Sequence, residues 1–238
     1  AVRLAGGRGK RLGALTGNIP KPMLRIHHQP FLLYQFLWLK KFHIRNVLIL
    51  AGYEAEKISA FFGDGSGFGL RISYSVESIP MGTAGALRNA GKFLKNPFLL
   101  LYGDSFLPAD LCKLEKRYIS SDARGIMTLY DNKERTGVAN NVLLDDKGKI
   151  ALYRKGSADP CMNHVEAGAG IYSRSILRFI PPGKDISLEE TVFPALIRKR
   201  MIEPFVVRER FYDIGTPVRL KDFKSCMNRF FPEFQSSK

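Results

Sequence analysis

The chain has 238 residues, 45% of them hydrophobic and 25% charged, which provides for one full α/β-sized core. A formal net charge of +15 raises nucleic acid or an anionic surface as a partner. However, the basic residues of Lys40-Lys41, Lys113–Arg117 and Arg198–Arg200 are interleaved with acids and carry no nucleic-acid-binding motif, so they read as a solvated face. No apolar run reaches the ~18–20 residues needed to cross a bilayer. Cys112, Cys161 and Cys226 lie far apart with no metal or disulfide spacing, so the expected compartment is a reducing cytoplasm.

In chain order, Val2–Ala5 reads as a strand and Phe31–Phe42 as a helix with apolar residues on more than one face. Asn46–Ala51 reads as a buried strand, Tyr53–Phe62 as a helix and Leu70–Val76 as an alternating strand. Thr83–Leu94 follows as a helix, and Phe98–Tyr102 as a fully apolar strand ending at Gly103-Asp104. This alternation predicts an α/β fold, a Rossmann-like doubly wound sheet of mixed but mainly parallel strands. After residue 124 come shorter strands at Ile126–Tyr130, Val142–Leu144, Ile150–Tyr153 and Gly168–Tyr172, with a turn at Asp145–Gly148. Ser187-Leu188-Glu189-Glu190 is a capping box opening a helix that Pro194 should kink. Phe205–Val207 and the segment around Tyr212 return to strand, and Pro217–Phe230 is a closing helix. The expected organisation is a single domain over 1–238, in two halves, 1–123 and 124–238.

The first strand opens into a loop carrying Gly6, Gly7 and Gly9, with Arg8, Lys10 and Arg11 among them, and Lys21 follows between Pro20 and Pro22. Glycines let the backbone approach a polyanion and present its N–H groups, while the cations neutralise phosphate. The stretch reads as a binder of triphosphate or pyrophosphate, although its spacing is neither a Walker A loop nor Gly-x-Gly-x-x-Gly. Asp104, ending a buried strand, is a candidate ligand for a hard cation such as Mg²⁺; the competing reading is a turn or helix-capping aspartate.

Ala5-Gly6-Gly7-Arg8-Gly9-Lys10-Arg11-Leu12 and Pro20-Lys21-Pro22-Met23 together resemble the signature of the sugar-1-phosphate nucleotidyltransferases, the nucleotide-sugar pyrophosphorylases. Further matches fall at 77–85, 101–104, 166–172 and, as Tyr212-Asp213-Ile214-Gly215-Thr216-Pro217, at 212–217. The resemblance implies a nucleotide-diphospho-sugar transferase type of fold, with a nucleotide-binding first half and a sugar-binding second half. It implies condensation of a nucleoside triphosphate with a sugar 1-phosphate to give a nucleotide sugar and pyrophosphate. By the same resemblance, Asp104 and Asp213 would hold Mg²⁺, and Arg11 and Lys21 would stabilise the transition state. Ala5, Gly6, Gly7, Gly9, Glu77, Gly82 and Thr83 would bind the nucleotide, and Asn141, Lys155, Glu166 and Gly168 the sugar phosphate.

The Pro80-x-Gly82-Thr83 form looks most like guanylyl members acting on heptose or mannose phosphates, which favours GTP. Uridylyl or thymidylyl transfer to a hexose or amino-sugar phosphate, and a non-catalytic nucleotide-sugar sensor, are the alternatives. Glu77 could face a base or a ribose, Arg154 competes with Lys155, and Asn140 and Asn141 could serve a turn or a sugar. Lys10 stands where the family has Thr or Ser. Arg3 stands in a strand that is aliphatic in the family, and is expected to pair with a carboxylate or lie near the surface. No nucleic-acid or membrane partner is expected, and a homodimer is left open.

Overall fold

In the computed structural model, the described residues are 1–7, 12, 17–134, 136–182 and 185–234. The central sheet has seven strands: β1 (Val2–Leu4), β2 (Asn46–Ala51), β3 (Arg71–Val76), β4 (Phe98–Tyr102), β5 (Gly125–Tyr130), β6 (Val165–Tyr172) and β7 (Ile202–Val207). Their order across the sheet is β7-β5-β6-β4-β1-β2-β3. Only β6 runs antiparallel to its neighbours; β1, β2, β3 and β4 pair in parallel, as do β5 and β7. The doubly wound, mainly parallel expectation holds, and one sheet draws strands from both halves of the chain.

Strand alternation divides the sheet between two cores. In β2, Val47, Ile49 and Ala51 face one cluster while Leu48 and Leu50 face the other, as period-two geometry requires. The first cluster takes Leu32, Leu33, Phe36 and Leu39 of helix α1 (Phe31–Lys41) and Ala55 and Ile58 of α2 (Ala55–Phe62). The second takes Ala84 and Leu87 of α3 (Gly82–Asn89), and, from a helix close to the C-terminus, Phe193, Leu196 and Ile197. Helices on both faces follow from strands that are apolar on both sides.

Helix α1 is apolar on two faces because it is packed on two sides. Opposite the sheet, its Phe31 and Tyr34 meet Phe223, Met227 and Phe231 at the closing helix Pro217–Phe230. Phe31 and Phe223 stand edge-to-face at 5.0 Å, and the rings of Tyr34 and Phe231 lie tilted at 52° and 5.3 Å apart.

Three elements differ from expectation. Leu111–Ile119 is a helix, α4, capped by Asp110, whose side chain accepts from the Cys112 and Lys113 amides; its amphipathic Leu111 and Leu114 were the available signal. The helix begun at Thr83 starts at Gly82 and stops at Asn89, followed by a 3₁₀ turn over Gly91–Phe93. Pro194 does not kink a longer helix but sits in the first turn of α5 (Phe193–Arg198), where its missing N–H costs nothing, after a π-helical turn over Leu188–Val192. Helix α6 (Pro217–Phe230) matches expectation.

Phe223 is fully buried between α1 and Phe106. Phe223→Ala should therefore lower stability by about 3–5 kcal/mol, read as a reduced midpoint in urea unfolding.

Candidate active site

The carboxyl ends of β1, β3 and β4 open into a cleft of about 440 Å³ lined by Gly6, Gly7, Lys21, Glu77, Tyr102, Asp104, Lys155 and Glu189. It lies where strand order reverses about β1, the position at which doubly wound sheets bind ligands. A neighbouring depression of about 500 Å³ shares Gly6 and Glu77 and adds Gly52, Tyr53 and Pro80.

Asp104 hangs from a turn after β4 that is fixed from beneath. The Gly103 amide donates to the Leu4 carbonyl at 2.9 Å. A Cβ on Gly103 would stand 2.4 Å from that oxygen, so only glycine lets β4 and β1 close up here. Gln35 Nε2 of α1 donates to the carbonyls of both Tyr102 (3.0 Å) and Ser105 (2.6 Å), strapping the turn at its two shoulders.

Lys21 lies in a short turn at Lys21–Met23, between Pro20 and Pro22, and is buried. Its Nζ meets Asp104 Oδ2 at 2.5 Å. Burial would push the Asp104 carboxyl up, but the charge and hydrogen bond of Lys21, with the Ser105 hydroxyl, hold it below its usual range.

Asp213 is brought alongside. Tyr212–Asp213 pairs antiparallel with Ser105–Phe106, with Asp213 opposite Ser105, and the Ile214 amide donates to the Asp104 carbonyl at 3.0 Å. Arg219 Nη1 donates to Asp213 Oδ2 at 2.8 Å and the Gly215 amide to its Oδ1 at 2.7 Å. Burial raises the Asp213 carboxyl above its usual value, against the pull of Arg219, and the neighbouring Asp104 charge adds to the rise. Arg219 escaped the sequence reading; its place in the first turns after the Thr216 cap was the signal, since Thr216 Oγ1 accepts from the Arg219 amide at 3.3 Å.

At the opposite end, Glu77 follows β3 and lies against bare backbone. A Cβ on Gly52 would come within 2.5 Å of Glu77 Oε1, and one on Gly6 within 3.2 Å. Its Oε2 accepts from the Met81 amide at 3.2 Å, and burial raises its carboxyl above the ordinary value.

Gly82, expected to bind the nucleotide, lines the cleft and is also packed against chain. It lies at φ +71°, and a Cβ there would sit 2.5 Å from the Ile186 carbonyl oxygen, so the absent side chain makes room for the 186–189 segment. The Thr83 hydroxyl is likewise engaged: it donates to Glu189 Oε2 at 2.7 Å and accepts from the Leu188 amide at 2.8 Å. Both residues line the cleft while docking α3 onto the 186–189 segment.

The third part of the site surrounds Glu166. Because β6 is antiparallel, its beginning lies near the carboxyl ends of its neighbours, which brings Glu166 to this edge of the sheet. Glu166 Oε2 accepts from the Tyr153 hydroxyl at 3.0 Å, and its amide donates to Asn141 Oδ1 at 2.9 Å. Asn141 thus positions Glu166, while its backbone pairs with His164 and Arg154. Glu189, which sequence reading took only as part of a cap, is a buried carboxylate of the cleft; its Oε2 also accepts from the Ser187 hydroxyl at 2.7 Å. Burial and the Glu189 charge push the Glu166 carboxyl up to about 8, against Tyr153, Tyr102 and Lys155. Lys155 lines the cleft and stands 3.6 Å from Glu190, whereas Arg154 points to Asp159 at 4.0 Å. Gly168 makes the β6 bulge at φ +76°, with a Cβ position 2.9 Å from Ser105 Cβ, so it braces the Asp104-Ser105 turn.

Ala5 is packed in the core beneath the cleft, its amide bonded to Leu50 at 2.8 Å. Arg8, Gly9, Lys10 and Arg11 lie outside the described residues. Arg3 meets neither expectation: it is 4% exposed, and its Nη1 donates to the Tyr102 carbonyl at 3.0 Å rather than to a carboxylate. Among the described residues no three or more His, Cys, Asp or Glu gather into a metal cluster; the two carboxylates Asp104 and Asp213 are what the site presents.

Residues 1–227 match the nucleotidyl transferase family. The chain belongs to this family. It is 33% identical over 223 residues to a mannose-1-phosphate guanylyltransferase of Mycobacterium tuberculosis, a match covering 91% of this chain and 61% of that protein. It is 32% identical over 220 residues to a D-glycero-alpha-D-manno-heptose 1-phosphate guanylyltransferase of Aneurinibacillus thermoaerophilus, covering 91% of this chain and 93% of the relative. The chain thus spans about three fifths of the mycobacterial relative and nearly all of the other. Among solved structures, HddC from Yersinia pseudotuberculosis complexed with GMP-PN superposes with a TM-score of 0.79 at 25% identity, covering 95% of this chain and 98% of that one.

The Glu166 environment has a measurable signature. A carboxyl at about 8 in the fold against 4.5 for the free group holds its proton more tightly when folded. Its stabilising effect is complete below the unfolded value and is lost as pH rises toward about 8. In Glu166→Gln that decline across pH 4.5 to 8 should flatten in denaturant titrations.

Proposed function

We propose that this protein joins a nucleoside triphosphate to a sugar 1-phosphate, releasing pyrophosphate and a nucleotide sugar, with GTP and a mannose- or heptose-type sugar phosphate as substrates. The observation that carries this reading is the Lys21–Asp104–Asp213 constellation at the sheet's switch point, at 2.5 Å for the ion pair, with Glu77 on one side and Glu166 and Glu189 on the other. The named guanylyltransferase relatives support the choice of base and sugar.

The chemistry is attack by an oxygen of the sugar phosphate on the α-phosphorus, which demands alignment and charge neutralisation more than covalent help. Gly6 and Gly7 form the part of the phosphate loop that lines the cleft; Gly7 has nothing within 4 Å of its Cβ position, so its backbone is open to a ligand. Lys21 supplies a point charge at the reacting phosphates, and Arg11 is proposed to add a fork to the triphosphate. Glu77 can accept two hydrogen bonds from a base edge that carries adjacent N–H groups, as guanine does. Glu166, with its proton, and Glu189 face the sugar hydroxyls, and Lys155 the sugar's phosphate. Ala5, Gly9, Gly82, Thr83, Asn141 and Gly168 set or extend these surfaces.

Asp104 and Asp213 are proposed to hold Mg²⁺. Two hard oxygen donors side by side, with phosphate oxygens and water completing an octahedron, suit that ion. When bound it would neutralise developing charge between the phosphates. Lys21 and Arg219 now satisfy these carboxylates, so Lys21 is free to turn to phosphate once Asp104 is shared. A reducing cytoplasm remains the proposed compartment; Cys112, Cys161 and Cys226 are all free thiols.

Pyrophosphate release should appear with GTP and mannose or heptose 1-phosphate and vanish with a chelator. Asp104→Asn and Lys21→Met should each lower kcat by about 10²–10³-fold with nucleotide still binding. Turnover confined to UTP or dTTP would reassign the base. Silence across all triphosphates, with a nucleotide sugar binding normally, would make the protein a sensor.

A further inference from the structure

Helix α1 buries Phe31, Leu32, Leu33, Tyr34, Phe36 and Leu39, and among them one amide, Gln35, which is 0% exposed. An amide in such surroundings costs free energy unless its polar atoms are met. The Nε2 of Gln35 carries two hydrogens, and two carbonyls take them: Tyr102 at 3.0 Å and Ser105 at 2.6 Å. Methionine or leucine would suit the helix and fill much of the same space. What they would not supply is this double donation, and its targets belong to the cleft rather than to the helix.

The two carbonyls bracket Gly103-Asp104. Glycine is required at 103 by the approach of the Leu4 carbonyl, and it is also the residue whose backbone is least restrained by its own side chain. The chain is thus loosest immediately before a carboxylate that has to be placed accurately, and the Gln35 bonds close that gap from both sides. Their effect reaches Asp213 as well, because Asp213 pairs opposite Ser105 and the Ile214 amide donates to the Asp104 carbonyl. The anchor itself is rigid: α1 is packed between the sheet and α6.

We propose that Gln35 is a positioning residue for the divalent cation, its amide holding the Tyr102–Ser105 turn so that Asp104 and Asp213 keep the spacing at which they share one ion. This rests on the reading of those aspartates as the metal carboxylates. Gln35 lies behind the turn and acts only through it. Groups that orient metal ligands from outside tune affinity nearly as strongly as the ligands do.

Gln35→Met keeps the length of the side chain and removes both donors. Leu33→Ala, on the same helix but in the first core cluster, is the structural control. Mn²⁺ binding to the protein without substrates is followed by electron paramagnetic resonance. Gln35→Met should bind Mn²⁺ about 10–100-fold more weakly than wild type, and Leu33→Ala as wild type does. In pyrophosphate release the Mg²⁺ concentration for half-maximal rate should rise by a similar factor in Gln35→Met. Affinity for GTP measured in chelator should not change, since Glu77 and the glycine loop are untouched. Added Mg²⁺ should recover rate in Gln35→Met and not in Asp104→Asn. Hydrogen exchange at the Ile214 amide should quicken in Gln35→Met alone.

Unchanged Mn²⁺ affinity in Gln35→Met would overturn the proposal. So would an equal weakening in Leu33→Ala, which would make the effect one of general stability. Should Gln35→Met fail to fold, Gln35→Asn, whose amide is one methylene too short to reach both carbonyls, is judged by the same criteria. If wild type turns over no substrate pair, the functional reading fails by itself, and Mn²⁺ binding still decides the role of Gln35. If wild type also binds no Mn²⁺, the positioning role fails with the metal site, whatever the Ile214 amide does.

Discussion

Asp104 and Asp213 come from distant parts of the chain and are held side by side by the antiparallel pairing of Tyr212–Asp213 with Ser105–Phe106 and by the Ile214 N–H donating to the Asp104 C=O at 3.0 Å. Like charges placed so close raise each other's proton affinity and oppose folding unless each finds a countercharge. Here each has one: Lys21 for Asp104, Arg219 for Asp213. The two cations differ in freedom. Arg219 bonds Asp213 and the Thr216 hydroxyl together, from a helix whose start Thr216 caps. Lys21 makes one side-chain hydrogen bond among the described residues, to Asp104, from an unbranched stem. The two ion pairs thus keep a repulsive pair of carboxylates folded.

Around this pair strand direction brings three groups of residues to one edge of the sheet. Parallel β1, β3 and β4 release the glycine loop, Glu77 and Asp104 at one edge. The antiparallel β6 delivers its first residues to that edge, which is how Glu166 joins groups from the other half of the chain. The bulge at Gly168 then lets β6 crowd the Asp104-Ser105 turn, where an added Cβ would strike Ser105. One reversed strand therefore links the wall around Glu166 to the Asp104–Asp213 pair, and the two cannot be shifted independently.

Much of this was legible in sequence because it is written in local signals. Apolar strands alternating with helices gave the sheet, and Phe98–Tyr102 and Pro217–Phe230 fall where they were expected. Gly103-Asp104 stood out as the polar end of an apolar run, and Asp213 through the resemblance of Asp213-Ile214-Gly215-Thr216-Pro217 to the family's motif. What escaped depends on contacts distant in sequence. Gly82 looked like space for a ligand, yet its neighbour is Ile186, and nothing near residue 82 encodes that. Glu189 looked like part of a cap, and only the fold turns it toward Glu166. Arg219 is one arginine among many until Asp213 is seen beside it.

Arg3 shows how far tertiary context can override expectation. A buried guanidinium without a carboxylate should be costly, and burial does pull its pKa down to about 9, so it stays charged at neutral pH. Its partners are dipoles: the Tyr102 carbonyl at 3.0 Å, with Gln35 sharing that oxygen. Arg3 Nε and Gln35 Oε1 are left unmet, and Arg3 borders a cavity of about 10 Å³ with Ser105 and Gly168, at the lower limit for one water.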